Sequence, residues 1–177
     1  MNLILCGMMG SGKSTVGAKI AQLIGWEFCD TDQMITEKHG DIPSIFQNYG
    51  EAHFRALERE TVAELALQDG LVISTGGGLV LQKGNVEALK QSGKIVFLRA
   101  TVDTLSTRLK GDGSRPLLQS KTQSLTDRLT ALLSERTPIY EGVADFIVDA
   151  DKKTPDEIAD EIIKIMKIDQ TKGAGTR

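Results

Sequence analysis

Eight residues near the amino end, Gly7-Met8-Met9-Gly10-Ser11-Gly12-Lys13-Ser14, have the types and spacing to hold a polyphosphate. They fit the pattern G-x-x-x-x-G-K-[ST]. Glycines at these intervals let the backbone curl until several N–H groups point into one anion-sized concavity. Lys13 can set a point charge on the β- and γ-phosphates, and the Ser14 hydroxyl can join the shell of a Mg²⁺. A helix starting here would add the partial positive charge of its N-terminus. The candidate nucleotide contacts are therefore Gly10, Ser11, Gly12, Lys13, Ser14 and Thr15, with ATP or GTP as the ligand.

Such a loop works only between a strand and a helix. Before it runs Asn2-Leu3-Ile4-Leu5-Cys6, short and apolar as a buried parallel strand should be. After it, Val16, Ile20, Leu23 and Ile24 make one face of a helix that Gly25 can end. A glycine-rich turn that binds nothing would need neither flank.

Further carboxylates, glycines and arginines recur where strands should end. Trp26 to Cys29 reads as a second strand and delivers Asp30-Thr31-Asp32. Two carboxylates two residues apart in extended chain share a side. One could serve Mg²⁺ and the other a substrate hydroxyl, or one could simply cap the next helix. Leu71 to Ser74 makes a third strand that empties into Thr75-Gly76-Gly77-Gly78. Three glycines in a row cost conformational entropy, which favours a place where backbone approaches a ligand over a plain loop. Lys94 to Leu98 and Val143 to Val148 supply the fourth and fifth strands. Five buried strands alternating with helices indicate an α/β fold with a parallel sheet, whose ligands sit at the carboxyl ends of the strands.

The helices between them are marked by apolar spacing and caps. Met34 to Lys38 is helical until His39-Gly40-Asp41, where His39 should face solvent. Ile42 to Phe46 starts a short helix, Tyr49-Gly50 turns the chain, and Glu51 to Gln68 forms a longer helix with Phe54, Leu57, Thr61 and Leu65 on one face. Arg55 on this helix is explained well enough by pairing with Glu51 or Glu58. Lys83 to Gln91 is a further helix, and Thr101 caps one that carries Leu105 and Leu109. Residues 110–123 are polar and glycine-rich around Arg115-Pro116, and beside a phosphate site a loop of this length reads as a mobile lid. A helix from about Ser124 should stop at Pro138, with Arg136 in a last turn that suits the helix dipole. Thr154-Pro155-Asp156-Glu157 is a capping box for a last helix whose buried face is Ile158, Ile162, Ile165 and Met166.

Composition narrows the class. At 177 residues the chain is one ordinary domain, expected over 1–168 with a frayed tail at 169–177. A net charge of −3 argues against a nucleic-acid binder. Cys6 and Cys29 have no metal-ligand spacing and read as buried thiols in a reducing compartment. No basic leader precedes the phosphate loop and no apolar run spans a membrane, so a cytoplasmic protein is expected.

Taken in order, the phosphate loop, Asp30-Thr31-Asp32, Ile45-Phe46 with Gly50-Glu51 and Phe54-Arg55, Gly76-Gly77-Gly78, Arg115-Pro116-Leu117-Leu118 and Glu135-Arg136-Thr137-Pro138-Ile139-Tyr140 make a narrower pattern. In this order and at these spacings the sequence resembles shikimate kinase, over nearly the whole chain to about Met166. The resemblance implies a P-loop, nucleoside-monophosphate-kinase-like fold: a five-stranded parallel sheet ordered 2-3-1-4-5, flanked by helices, with a mobile lid at about 110–123 and substrate-binding helices at about 32–60. It implies transfer of the γ-phosphate of ATP to the 3-hydroxyl of shikimate by a Mg²⁺-dependent enzyme, acting as a monomer without nucleic acid or membrane. By the same resemblance Ser14 ligates Mg²⁺ and Asp30 reaches it through water. Asp32 binds the substrate hydroxyls and acts as base. Arg55 and Arg136 hold the substrate carboxylate, while Gly77 and Gly78 touch the substrate through backbone. Arg115 and Lys13 serve the transferring phosphate, and Arg108 covers the adenine with Thr154-Pro155 lining the same pocket. Arg99 stands where the family commonly has an acidic residue.

The pattern has rivals. A kinase for another small acid or sugar, such as gluconate, would share the fold but has no use for two arginines and three glycines arranged for a carboxylate-bearing ring. A nucleoside-monophosphate kinase would bring base-reading motifs not seen here. A nucleotide-binding scaffold without turnover would have no need to retain Lys13, Asp32 and Arg115 together.

Overall fold

In the computed structural model, which describes residues 1–110 and 124–168, five short strands form one parallel sheet ordered β2-β3-β1-β4-β5. The strands are β1 (Asn2–Cys6), β2 (Glu27–Asp30), β3 (Leu71–Ser74), β4 (Gly93–Arg99) and β5 (Phe146–Asp149). Helices α1 (Lys13–Ile24), α2 (Thr31–His39), α3 (Ile42–Ala66), α4 (Lys83–Ser92), α5 (Val102–Leu109), α6 (Leu125–Val143) and α7 (Pro155–Met166) connect and cover them. The order is the one that the resemblance implies. The expected lid and Arg115 lie outside the described residues, as does the expected tail.

Alternation along the central strands divides the core into two layers. Leu3 and Leu5 of β1, Val72 of β3, and Val96 and Leu98 of β4 face a cluster completed by α1, α5 and α7. Ile4, Cys6, Ile73, Ile95 and Phe97 face the other way, against α3 and α4 and the Tyr140 ring. A sheet buried on both faces explains why these strands read as continuous apolar runs. A third, smaller cluster of Ile35, Ile45, Phe54 and Leu57 joins α2 to the two arms of α3. Gly50 breaks α3 into those arms with φ 81° and ψ 174°, at the turn expected there.

Four local expectations are corrected. The α6 helix does not stop at Pro138 but continues to Val143. Proline removes one helical N–H, a cost of about 3 kcal/mol in an isolated helix. Here the turns around it bury Arg136 and, completely, Tyr140, and tertiary packing prevails over propensity. Leu23 is exposed rather than on the buried face of α1, where Gly17 and Ala21 take the place against the sheet. On α7, Ala159 and Ile163 join Ile158 and Ile162 in the core, while Ile165 and Met166 pack only at its margin. Cys29 is half-buried, and only Cys6 is fully enclosed.

The phosphate loop joins β1 to α1, and its glycines are conformational necessities. Gly7, Gly10 and Gly12 have φ of 140°, 80° and 99°, values L side chains rarely adopt. A Cβ at Gly7 would come within 2.6 Å of the Leu98 carbonyl oxygen, so the loop also needs the space. Every strand delivers its carboxyl end to one edge of the sheet, since all pairings are parallel: Leu5 pairs with Ser74, Asp30 with Ser74 and Arg99 with Asp149. Arg99 answers its unusual position with that same neighbour, its guanidinium bonding both Asp149 carboxylate oxygens at 2.6 and 3.0 Å. No helix among the described residues is long and apolar enough to cross a membrane.

Candidate active site

At the carboxyl edge a cleft of about 400 Å³ opens between the phosphate loop, the start of α2 and the loop after β3. Met9, Gly10, Gly12, Lys13, Ser14 and Thr15 line one side, Asp30, Asp32, Ser74, Thr75 and Gly77 the other, and Arg108 closes an end. This places most of the expected nucleotide contacts together. Lys13 is buried, and its Nζ donates to the carbonyls of Gly7 and Met8 at 3.0 and 2.9 Å. The ammonium is thereby held over the loop whose N–H groups would receive phosphate.

Asp30 caps the next helix and also reaches the Ser14 hydroxyl. Its Oδ1 caps α2, accepting from the N–H groups of Asp32 and Gln33 at 3.1 and 3.2 Å. Its Oδ2 accepts from the Ser14 hydroxyl at 2.6 Å, and the Ser74 hydroxyl lies 3.3 Å from that of Ser14. Two hydroxyls and one carboxylate are hard oxygen donors in small number. That set fits Mg²⁺, which uses one or two protein ligands and keeps its remaining positions for water and phosphate. Among the described residues no cluster of three or more His, Cys, Asp or Glu could hold a metal by itself. Ser74 was not anticipated; its signal was its place at the carboxyl end of a strand.

Two of the three glycines after β3 make room for a side chain. A Cβ at Gly76 would run into the Asp32 carboxylate. At Gly78 it would stand 2.7 Å from the Arg55 guanidinium. At Gly77 it would meet only ordinary contacts, 3.6 Å from the Met9 nitrogen and 3.8 Å from Arg136 Nη1, so that position lies between the phosphate loop and Arg136 without steric need for glycine. The run thus has Asp32, Arg55 and Arg136 as near neighbours, although Gly78, Arg55 and Arg136 lie outside the lining of the cleft itself. Its Gly76 N–H donates to the buried Thr31 Oγ1 at 2.9 Å, which ties it to the Asp30-Thr31-Asp32 segment.

The two arginines are held differently. Arg55 donates to Glu51 at 2.9 Å and to Glu58 at 2.8 Å. Glu58 is 1% exposed, and desolvation by that burial raises its carboxyl pKa despite the neighbouring guanidinium. Arg136 is only 6% exposed, yet its Nε and Nη1 have no hydrogen-bond partner among the described residues. A buried guanidinium with unused N–H groups is costly, and a bidentate anion would satisfy it.

A family model for shikimate kinase matches residues 9–167. This chain belongs to the shikimate kinase family. A relative named shikimate kinase from Sulfurihydrogenibium sp. is 41% identical over 94% of this chain and 98% of its own length. Another from Actinobacillus pleuropneumoniae is 42% identical over 93% of this chain and 95% of its own. Among solved structures, a shikimate kinase from Acinetobacter baumannii in complex with shikimate superposes with a TM-score of 0.89 at 38% identity, covering 94% of this chain and 92% of that one. Shikimate kinase from Aquifex aeolicus gives 0.81 at 36% identity, over 94% and 96%. A sugar kinase from Janibacter sp. shares the fold alone, at 14% identity and a TM-score of 0.62.

Against the family pattern three residues sit unexpectedly. Ser11 is fully buried and outside the cleft lining: its N–H donates to the Met8 carbonyl at 3.1 Å and its hydroxyl finds no partner among the described residues. Arg108 lines the cleft as expected, but its guanidinium is spent on the backbone carbonyls of Gly10, Ser11 and Ala150 at 3.3, 3.0 and 3.3 Å. Pro155 is exposed in the first turn of α7 and also outside the lining, doing the capping work that the sequence alone assigned it.

Proposed function

We propose that this chain transfers the γ-phosphate of ATP to the 3-hydroxyl of shikimate, giving shikimate 3-phosphate and ADP. The observation that carries the reading is Arg136, a buried cation beside the glycine run with two nitrogens that have no partner among the described residues. It calls for a carboxylate, and Arg55 stands across Gly78 to share it. Asp32, admitted by Gly76, accepts hydrogen bonds from the ring hydroxyls and takes the proton of the attacking one. Lys13 and the phosphate-loop N–H groups position the triphosphate in line with that hydroxyl. Phosphoryl transfer passes through a loose transition state, so positioning and charge carry most of the catalysis. Ser14 and Asp30 would hold Mg²⁺, which when bound neutralises charge on the β- and γ-phosphates. Residues 1–168 act as one kinase domain with a tail at 169–177, working as a monomer in the cytoplasm, away from membrane and nucleic acid.

The test is ADP release from MgATP with and without shikimate. A rate that depends on shikimate, with little hydrolysis in its absence, is the expected result. Equal rates from protein shown to bind ATP would discard the substrate.

A further inference from the structure

We propose that the Tyr140 hydroxyl is a positioning group for the acid substrate: it orients the Gly77–Gly78 peptide so that the Gly78 N–H is presented beside Arg55. This rests on the shikimate reading of the site. Tyr140 is wholly buried, its ring tilted against Phe97 with centroids 5.1 Å apart. Its hydroxyl donates to the Gly77 carbonyl at 2.6 Å and lies 4.0 Å from the Met8 sulfur of the phosphate loop. Burial pushes the phenol up to about 12, so it stays a donor throughout the neutral range. Packing against Phe97 alone would be served by phenylalanine; the hydroxyl is explained by what it holds.

A peptide between two glycines meets little steric resistance to rotation, and something must fix its plane. The preceding units are already fixed. The Thr75 N–H donates to the Leu5 carbonyl at 3.0 Å, and the Gly76 N–H to Thr31. Tyr140 supplies the next restraint. In a trans peptide the C=O and the following N–H point in opposite directions. Drawing the Gly77 oxygen toward Tyr140 therefore turns the Gly78 N–H away from α6. Among the described residues neither the Gly77 nor the Gly78 N–H donates to a backbone carbonyl, which leaves both as donors for a ligand. Gly78 adjoins Arg55 and Gly77 adjoins Arg136, while Tyr140 follows Arg136 by one helical turn on α6. One hydrogen bond thus registers a neutral donor against both cations.

Tyr140→Phe keeps the ring and removes only the donor. The KM for shikimate should rise about 5- to 10-fold, the worth of one buried hydrogen bond. The KM for ATP and kcat at saturating shikimate should change by less than about twofold. Equal rises in both KM values, or none, would overturn the proposal, the first by showing a merely structural role. Wild-type protein without shikimate turnover overturns the kinase reading and this inference with it, whereas an active wild type matched by Tyr140→Phe overturns this inference alone. Should the variant not fold, wild-type protein labelled with ¹⁵N-glycine answers the question by NMR. A slowly exchanging Tyr140 hydroxyl proton and a Gly78 amide that shifts on adding shikimate are expected, and the absence of either refutes it.

Discussion

Arg136, on the acid side of the cleft, is held in the opposite way to the cations of the phosphate side, and differently from Arg55 beside it, which Glu51 and Glu58 pair. On the phosphate side Lys13 rests on the Gly7 and Met8 carbonyls, and Arg108 on those of Gly10, Ser11 and Ala150. On the acid side Arg136 is buried with two nitrogens that have no hydrogen-bond partner among the described residues. The first arrangement preforms the loop, and an incoming phosphate exchanges one set of oxygen acceptors for another. The second leaves a buried charge with N–H groups that an arriving anion can satisfy. Affinity gained by exchange is modest, while affinity gained by relieving an unpaired buried group is large and selective. Discrimination between acids should therefore reside at Arg136 far more than at the nucleotide end.

The largest effect should come where the halves meet. Asp32→Asn should lower kcat by about 10²- to 10⁴-fold with ATP binding retained, because the amide cannot take the hydroxyl proton. Near-normal turnover would remove Asp32 as base. Arg136→Met should weaken shikimate binding by about 2–5 kcal/mol while leaving the KM for ATP alone. The same variant should melt at a higher temperature than wild type, since it removes a buried, under-partnered cation without leaving a cavity. A loss of both stability and nucleotide affinity would erase the contrast between the halves.

Gly76→Ala should act more mildly, about tenfold on kcat, by forcing the Asp32 carboxylate aside. Glu58→Gln sharpens the acid side further. Burial raises the Glu58 pKa in the folded protein above its unfolded value, so the native state holds the extra proton in that interval. Its contribution to stability is complete below the unfolded pKa and is lost as pH rises through the folded one. Subtracting the melting curve of Glu58→Gln from that of wild type between pH 4 and 8 should show that falling component. A difference that instead grows with pH would mean that the Arg55 ion pair outweighs desolvation. Shikimate KM should rise by only about threefold in this variant, because glutamine still offers Arg55 an acceptor.

Legibility in the sequence followed the same division. The phosphate loop could be read from residue types alone, because positive φ at Gly7, Gly10 and Gly12 leaves few other residues possible. The strands could be read because a doubly covered parallel sheet makes each of them an apolar run. Arg55 and Arg136 could not be read that way. Local pairing explained Arg55 and a helix end explained Arg136, and that helix end does not exist, since α6 runs through Pro138. Their roles came from the ordered resemblance, because what distinguishes them is a meeting across Gly77 and Gly78 that no helical spacing encodes. Thr31 and Ser74 were missed for a related reason. A buried hydroxyl looks the same in sequence whether or not it faces a partner.

Ser11 gives the finest probe of the phosphate side. Its hydroxyl is buried without a partner among the described residues, and the residue lies outside the cleft lining. Removing a buried unsatisfied hydroxyl should stabilise a protein by up to about 1 kcal/mol, provided no cavity larger than one oxygen remains. Ser11→Ala should therefore raise the melting temperature slightly and leave the KM for ATP within about twofold of wild type. A higher KM for ATP with no gain in stability would mean that the hydroxyl turns outward to meet phosphate. In that case the loop would not be preformed, and its acceptor exchange would include a rearrangement of Ser11. The two halves would then differ in degree only, each keeping one polar group in reserve for its ligand.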